Sequence, residues 1–375
     1  MPMNEMNEMS MLMSMMMSMS MMTLPALLNA VAMLLAFVAA LYVASILLPG
    51  ERVDLSDDDG NTRMFKFNGL ASLIATLIVV GLAHAQGWFS LSVLYENFLA
   101  LFVAANLITF VLSGLLYWQG AGATGAPSGF LRGFFFGRTM NPTWRGMDLK
   151  FFSYRPSLIG LALLNLSFAV VQYETRGEIT LAMALYQAFT LVYVLNYFQF
   201  EQGMIYTWDI MSERFGWMLA WGNLVLVPFF YCIAGWWLVD APDTLSPIAA
   251  GLITLLFVVG FWIFRGANQQ KHRFRRDTNV TIWGRPAETL DERLLVSGFW
   301  GIGRHLNYTG EICVYIAFLL TTGFASWVPW LLPAWVAVLL VHRAHRDDQR
   351  CQAKYGELWD RYKQRARFSM LPLIY

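Results

Sequence analysis

The residues of this chain best suited to chemistry lie in its last third. Asn268-Gln269-Gln270-Lys271-His272-Arg273-Phe274-Arg275-Arg276 directly continues an apolar stretch. Lys271 and Arg275, four apart, share a face if that stretch stays helical. Ser297-Gly298-Phe299-Trp300-Gly301-Ile302-Gly303-Arg304-His305-Leu306-Asn307-Tyr308-Thr309-Gly310-Glu311 follows, punctuated by glycine and too short and polar to cross a membrane. Arg343, Asp347, Cys351 and Lys354 then recur at i, i+4, i+8 and i+11, one stripe of a helix, with Arg346 and Arg350 beside it. Such a set suits a dinucleotide: cations for its phosphates, aromatic shelves for its rings, polar groups for its amide. The cations alone would serve equally as a topology signal at one membrane face. That role, however, requires neither Asn307-Tyr308, nor the glycines, nor Asp347. No Gly-x-Gly-x-x-Gly follows a strand pattern, which argues against a Rossmann domain. Upstream, Tyr197 and Glu201 stand four apart at the end of an apolar stretch, with Tyr193 one turn earlier. An ionisable side chain at such a place is a functional candidate by default.

The elements that must hold these residues are membrane helices. The chain has 375 residues, 57% hydrophobic and only 14% charged, and a mean hydropathy of +0.48. A soluble chain would carry about 25% charge. Lys plus Arg (26) and Asp plus Glu (25) nearly cancel, so nothing points to a nucleic-acid partner. Three cysteines form no Cys-x-x-Cys pair and five histidines no metal-binding spacing, so no metal is expected. Residues 1–23 are a low-complexity Met/Ser run, read as a disordered start, and residues 24–375 as a single transmembrane domain. Nine spans are predicted, with one more or fewer allowed: 24–48, 67–85, 97–118, 156–173, 179–200, 215–239, 247–264, and a tight hairpin of 312–324 and 327–341. The basic clusters after the third, seventh and ninth spans are separated by even numbers of spans, so they share one face, the cytoplasmic one. The first loop, with Asp54 and Asp57 to Asp59, falls on that face too. The fold class is therefore all-α, a polytopic helical bundle, with residues 265–375 as its candidate cofactor-binding part on the cytoplasmic face.

Leu339-Leu340-Val341-His342-Arg343-x-x-Arg346-Asp347-x-x-x-Cys351-x-x-Lys354-Tyr355-Gly356 resembles the C-terminal signature of the sterol reductases. That family holds sterol C14-reductases, 7-dehydrocholesterol reductases, C24(28)-reductases and the lamin B receptor. Trp359, Tyr362, Arg365 and Pro372-x-Ile374-Tyr375 continue the likeness. So do Leu294-Leu295-Val296-Ser297-Gly298-x-Trp300-Gly301 and Arg304-His305-x-Asn307-Tyr308-Thr309-Gly310. Asn141-Pro142, Asp148-x-Lys150-x-Phe152 and Arg155-Pro156 resemble an upstream loop of the family, and Glu201, Asp209 and Phe215-Gly216 a third block. Departures fall at Thr139, Thr143, Ser212-Glu213 and Asn223.

The resemblance implies NADPH-dependent reduction of a carbon–carbon double bond in a sterol, with the cofactor in the last third and the sterol among upstream helices. It assigns Lys271 and Arg275 to phosphates and Trp300 and Tyr308 to rings. Leu295, Asn307, Arg343, Asp347, Cys351 and Tyr362 complete the cofactor set, Cys351 as a small apolar packing group. An isolated alkene accepts hydride poorly, so protonation comes first, from Asp347, Tyr197 or Glu201. C14 ranks ahead of C7, because protonation at C15 leaves a tertiary cation at C14. Residues near Tyr193, Tyr197, Glu201 and Asn223 are expected to line the sterol pocket. Two rivals stand: a membrane methyltransferase using S-adenosylmethionine, similar to the isoprenylcysteine carboxyl methyltransferases through Arg304 to Gly310, and a non-catalytic sterol-binding receptor. The expected setting is the endoplasmic reticulum of a eukaryote or a bacterial inner membrane.

Overall fold

The computed structural model describes residues 23–56, 62–123 and 125–370. The Met-rich start, Asp57 to Asp59 and the closing Pro372-x-Ile374-Tyr375 lie outside the described residues. The chain divides into two compact units, Met1–Ala241 and Pro242–Tyr375.

In the first unit, helix α1 (Leu24–Leu47) starts where Thr23 accepts the Ala26 N–H and Pro25 presets the first turn. An antiparallel pair, β1 (Glu51–Ser56) and β2 (Thr62–Phe67), leads into α2 (Gly69–Ala85). Helix α3 (Phe98–Gln119) follows, then α4 (Tyr154–Arg176), the most deeply buried helix of the unit. Burial on every side explains its tolerance of polar side chains, provided each finds a partner. Gln172 donates to the Leu238 carbonyl at 2.7 Å and accepts from the Thr180 N–H at 2.9 Å. Helix α5 (Leu181–Gln199) is capped by Thr180. The last expected span of this unit is not one regular helix. It runs as an α-turn at Trp217–Trp221, a widened π segment at Gly222–Phe230 and a further turn at Ile233–Leu238. Pro228, inside the π segment, cannot donate to the helix ladder and its ring crowds the carbonyl four residues back.

In the second unit, α6 (Pro247–Arg276) is capped by Ser246, begins apolar and ends in Arg273, Arg275 and Arg276, which suit the negative end of its dipole. Helices α7 (Leu306–Leu320), α8 (Leu331–Tyr355) and α9 (Glu357–Arg365) follow. Gly260 and Gly310 set the closeness of α6 and α7. A Cβ on Gly260 would sit 2.7 Å from the Cys313 Cβ, and one on Gly310 would sit 2.6 Å from the Gly260 carbonyl oxygen. Only glycine lets the two backbones meet there.

The all-α polytopic expectation holds in bulk, with four short two-stranded ribbons added among the described residues. Six helices there are long and apolar enough to cross a membrane, against nine predicted spans. The shortfall has local causes. Phe67 belongs to β2, which leaves the shorter helix Gly69–Ala85. The eighth predicted span is the 15-residue α7, and the ninth is the apolar start of α8, whose second half is charged. Asn307 to Glu311, read from sequence as part of a glycine-punctuated segment too short and polar to cross a membrane, are the first turns of α7.

Candidate functional site

The second unit gathers its chemistry around the last turns of α6. Ala267, Gln270, Lys271 and Phe274 come from this cationic end, at i, i+3, i+4 and i+7 and so on one side of the helix. The Gln270 side-chain carbonyl accepts the Phe299 N–H at 2.9 Å, and the Trp300 indole N–H donates to the Ala267 carbonyl at 2.8 Å. These two bonds fasten the short turn Phe299–Ile302 onto α6. The Lys271 ammonium then lies 4.4 Å from the centre of the Trp300 ring. Such a cation–π contact is worth about 0.5–2 kcal/mol, depending on how dry it is. Leu295 packs with Phe274, Ile282 and Trp300. From α9, the Tyr362 hydroxyl donates to the Trp300 carbonyl at 3.1 Å. Tyr362 in turn packs with Val296, Trp359 and Ala366, with Cys351 and Tyr355 at their margin.

Helix α8 brings the stripe expected from its spacing. Arg343, Asp347 and Cys351 are partly buried and Lys354 is exposed. Asp347 and Cys351 both lie within electrostatic reach of Lys271. Burial, followed by the Asp347 carboxylate, pushes the Cys351 thiol up to about 11 against the pull of Lys271. At neutral pH this sulfur is a thiol, not a nucleophilic thiolate. Lys271, Leu295, Trp300, Asp347, Cys351 and Tyr362 thus come together, from segments up to ninety-one residues apart in the sequence. Arg275 is exposed on the final turn of α6.

Asn307 and Tyr308 stand on the first turn of α7. The Asn307 amide donates to the Asn268 side-chain oxygen at 3.2 Å, while its own Oδ1 is buried without a hydrogen-bond partner. Tyr308 lies parallel to the His305 ring, with centroids 5.2 Å apart and planes 7° from coplanar. Sequence reasoning placed His305 in a motif and gave it no role. The spacing of three residues across a helix start is the signal that a stack with Tyr308 was available.

Around this core, Arg304 acts as a fastener. It pairs with Asp348 at 3.5 Å and donates to the carbonyls of Ala366 and Arg367 at 2.8 and 3.1 Å. Asp348 also accepts the Trp359 indole N–H at 3.1 Å. A polar cavity of about 250 Å³ is bordered by Arg304, Ala344, His345, Asp348, Arg367 and Ser369.

Tyr197 and Glu201 belong to the first unit. The expectation that they share a helix face fails, because α5 ends at Gln199 and Glu201 opens a 3-10 turn, Glu201–Tyr206. The physical cause is the carboxylate itself. Its Oε2 accepts the Gly69 N–H at 2.8 Å and its Oε1 meets the Arg155 guanidinium at 3.3 Å, in a site where Glu201 is 4% exposed. Burial raises the Glu201 carboxyl above the ordinary range, against the opposing pull of Arg155. Arg155 also donates to the Lys66 carbonyl at 2.6 Å. Tyr197 packs against the cluster of Phe65, Phe151, Tyr154, Met204, Ile205 and Ile210, and its ring stacks on Tyr154 at 6.2 Å. An apolar cavity of about 190 Å³ in this unit is walled by residues that include Phe37, Leu101, Gly160, Leu164 and Pro228. Tyr193, Tyr197, Glu201 and Asn223 are not among its walls. Asn223 instead donates to the Ser153 hydroxyl at 2.7 Å.

Residues 3–375 match the Ergosterol biosynthesis ERG4/ERG24 family. The chain is 39% identical over 328 residues to a protein named Delta(14)-sterol reductase from Methylotuvimicrobium alcaliphilum, an alignment spanning 84% of this chain and 76% of that one. It is 35% identical over 357 residues to the Delta(14)-sterol reductase of Arabidopsis thaliana, spanning 93% and 96%. It is 34% identical over 338 residues to the 7-dehydrocholesterol reductase of Xenopus laevis, spanning 84% and 72%. A match along almost the whole length makes this chain a member of the ERG4/ERG24 sterol reductase family.

Proposed function

We propose that this protein reduces a carbon–carbon double bond of a sterol, with NADPH as the hydride donor. The observation that carries the reading is the assembly of Lys271, Trp300, Asp347 and Tyr362 at the cationic end of α6, in a chain whose relatives are named as sterol reductases. The residues fit a dinucleotide in kind. Lys271, Arg275 and Arg343 would hold phosphates, while Leu295, Trp300 and Tyr308 offer flat or apolar contact to rings. The buried, unpartnered Oδ1 of Asn307 is an acceptor suited to an amide N–H. Tyr362 and Cys351 close the wall behind Trp300. When bound, the reduced nicotinamide supplies a hydride to an electron-poor carbon.

The protein's share is to create that electron-poor carbon and keep it dry. An acidic side chain has to donate a proton to the alkene, which leaves a tertiary cation. Asp347 is the preferred donor, because both oxygens of Glu201 are already engaged by Gly69 and Arg155. Tyr197 is the next candidate. Water must be excluded, or the cation would be captured as an alcohol. We place C14 ahead of C7, since protonation at C15 yields a tertiary C14 cation directly. The relatives from Methylotuvimicrobium alcaliphilum and Arabidopsis thaliana bear the C14 name, and the one from Xenopus laevis bears the C7 name.

The test is to incubate membranes containing the protein with NADPH and, separately, C14-, C7- and C24(28)-unsaturated sterols, reading products by mass spectrometry. Reduction of the C14 substrate is expected, with NADPH preferred to NADH by at least ~10-fold through its extra phosphate. Reduction of the C7 sterol alone would change the substrate and keep the reaction. Methyl transfer from S-adenosylmethionine with no sterol reduced would overturn the class.

A further inference from the structure

His305, at the start of α7, is a strongly buried ionisable side chain that the proposed reaction leaves unused. Its backbone is clamped between two segments. The His305 N–H donates to the Ser369 carbonyl at 2.7 Å, and its own carbonyl accepts the Tyr308 N–H at 3.0 Å. The neighbouring residues repeat the clamp, with the Arg304 N–H on the Phe368 carbonyl at 3.0 Å and a parallel bridge from Gly303 to Phe368. The backbone that carries the ring is therefore fixed on both its N–H and its carbonyl side. It is 4% exposed and lies parallel to Tyr308, yet its Nε2 has no hydrogen-bond partner.

A buried ring nitrogen without a partner costs stability in the free protein, and such groups call for an explanation. Ordinary packing would be served as well by phenylalanine. A role as a charged group is closed off, because burial first, then Lys271 and Arg304, lower the imidazole to about 3, with Asp348 opposing too weakly to restore it. What remains is a neutral imidazole with one unused polar atom. It is stacked on one aromatic residue of the proposed cofactor site and lies within electrostatic reach of Lys271, another member of that site.

We propose that His305 is a further contact residue of this site: its ring sets the plane of Tyr308, and its Nε2 makes a hydrogen bond to a polar group of the bound dinucleotide. The proposal rests on the NADPH reading above and adds a residue to it. The two roles separate by substitution, since His305→Phe keeps a flat ring without the nitrogen and His305→Gln keeps a polar side-chain nitrogen without the ring.

The experiment measures NADPH affinity by calorimetry and thermal unfolding with and without NADPH, on the full chain purified in detergent. For His305→Phe, NADPH should bind about tenfold more weakly, the loss of one hydrogen bond. The same variant should melt no lower than the wild type without cofactor, because an unsatisfied buried nitrogen has been replaced by apolar ring. His305→Gln should bind at least threefold more tightly than His305→Phe, as a partial rescue. A purely structural histidine would give the opposite pattern, a lower melting temperature with unchanged affinity. Equal affinity of wild type and His305→Phe overturns the proposal. Should His305→Phe fail to fold, affinity in His305→Gln as weak as in His305→Ala overturns it instead. Absence of NADPH binding by the wild-type protein, with folding intact, would overturn the cofactor reading itself.

Discussion

Two lysines divide the chemistry of this molecule. Lys150, in the first unit, is fully buried, and its ammonium donates to three backbone carbonyls, Asp209, Ile210 and Glu213, at 3.0, 2.8 and 2.7 Å. Lys271, in the second unit, is only partly buried and faces the indole of Trp300, with Asp347 and Cys351 in electrostatic reach. The first lysine spends all three of its donors on the protein's own main chain, and so closes the C-terminal end of the Trp208–Met211 turn. The second holds its charge over a ring face. The carboxylates divide in the same way. Glu201 is tied to Gly69 and Arg155, whereas Asp347 sits on a helix stripe with cations at its sides. Both regions carry family-like motifs, and both bury charge. The geometry of the partners separates a structural staple from a residue able to act on a ligand.

The largest effect that would sharpen this contrast belongs to the staple. Lys150→Met leaves one buried and two part-buried carbonyls without their donor, so stability should fall by at least ~3 kcal/mol. Thermal unfolding in detergent would read this as a large drop in melting temperature or as a failure to purify as a single species. A Lys150→Met protein as stable as the wild type would break the comparison. Next comes Asp347→Asn, which keeps shape and removes the proton. Turnover should fall at least ~100-fold, the lower end for general-acid catalysis, with melting temperature nearly unchanged. Normal turnover would move the proton donor elsewhere, with Tyr197 the first to examine. The smallest effect is expected for Lys271→Met, which fills the same space over Trp300 without charge. NADPH affinity should weaken about tenfold at low salt, and less at high salt where phosphate contacts are screened. An unchanged affinity would place Lys271 with Lys150, among the groups that hold the fold.

Much of this was legible in the residues. Composition and apolar run length gave a polytopic helical chain, because burial of backbone polar groups in hydrocarbon leaves little choice but helices. The stripe of Arg343, Asp347 and Cys351 was readable too, since a helix returns to the same face every three or four residues whatever its surroundings. The span count was not. Hydropathy reports how apolar a segment is, while the limits of α2 and α7 depend on where a strand or a turn claims the adjoining residues.

The sequence by itself determined the class of the fold, the helical stripe and the family, all of which follow from local periodicity and from motifs within one segment. Only the tertiary structure decided the roles of the charged residues. Glu201 leaves the helix of Tyr197 because Gly69 and Arg155, more than forty positions away, compete for its oxygens. Trp300 reaches Lys271 because Gln270 and Ala267 accept bonds from a turn thirty residues downstream. The backbone of His305 is fixed by Ser369, more than sixty positions downstream, while its buried Nε2 finds no partner. Each of these outcomes is set by which groups meet after the chain has folded back on itself. Hydrogen bonding and desolvation act through distance in space, on which separation along the chain has no hold.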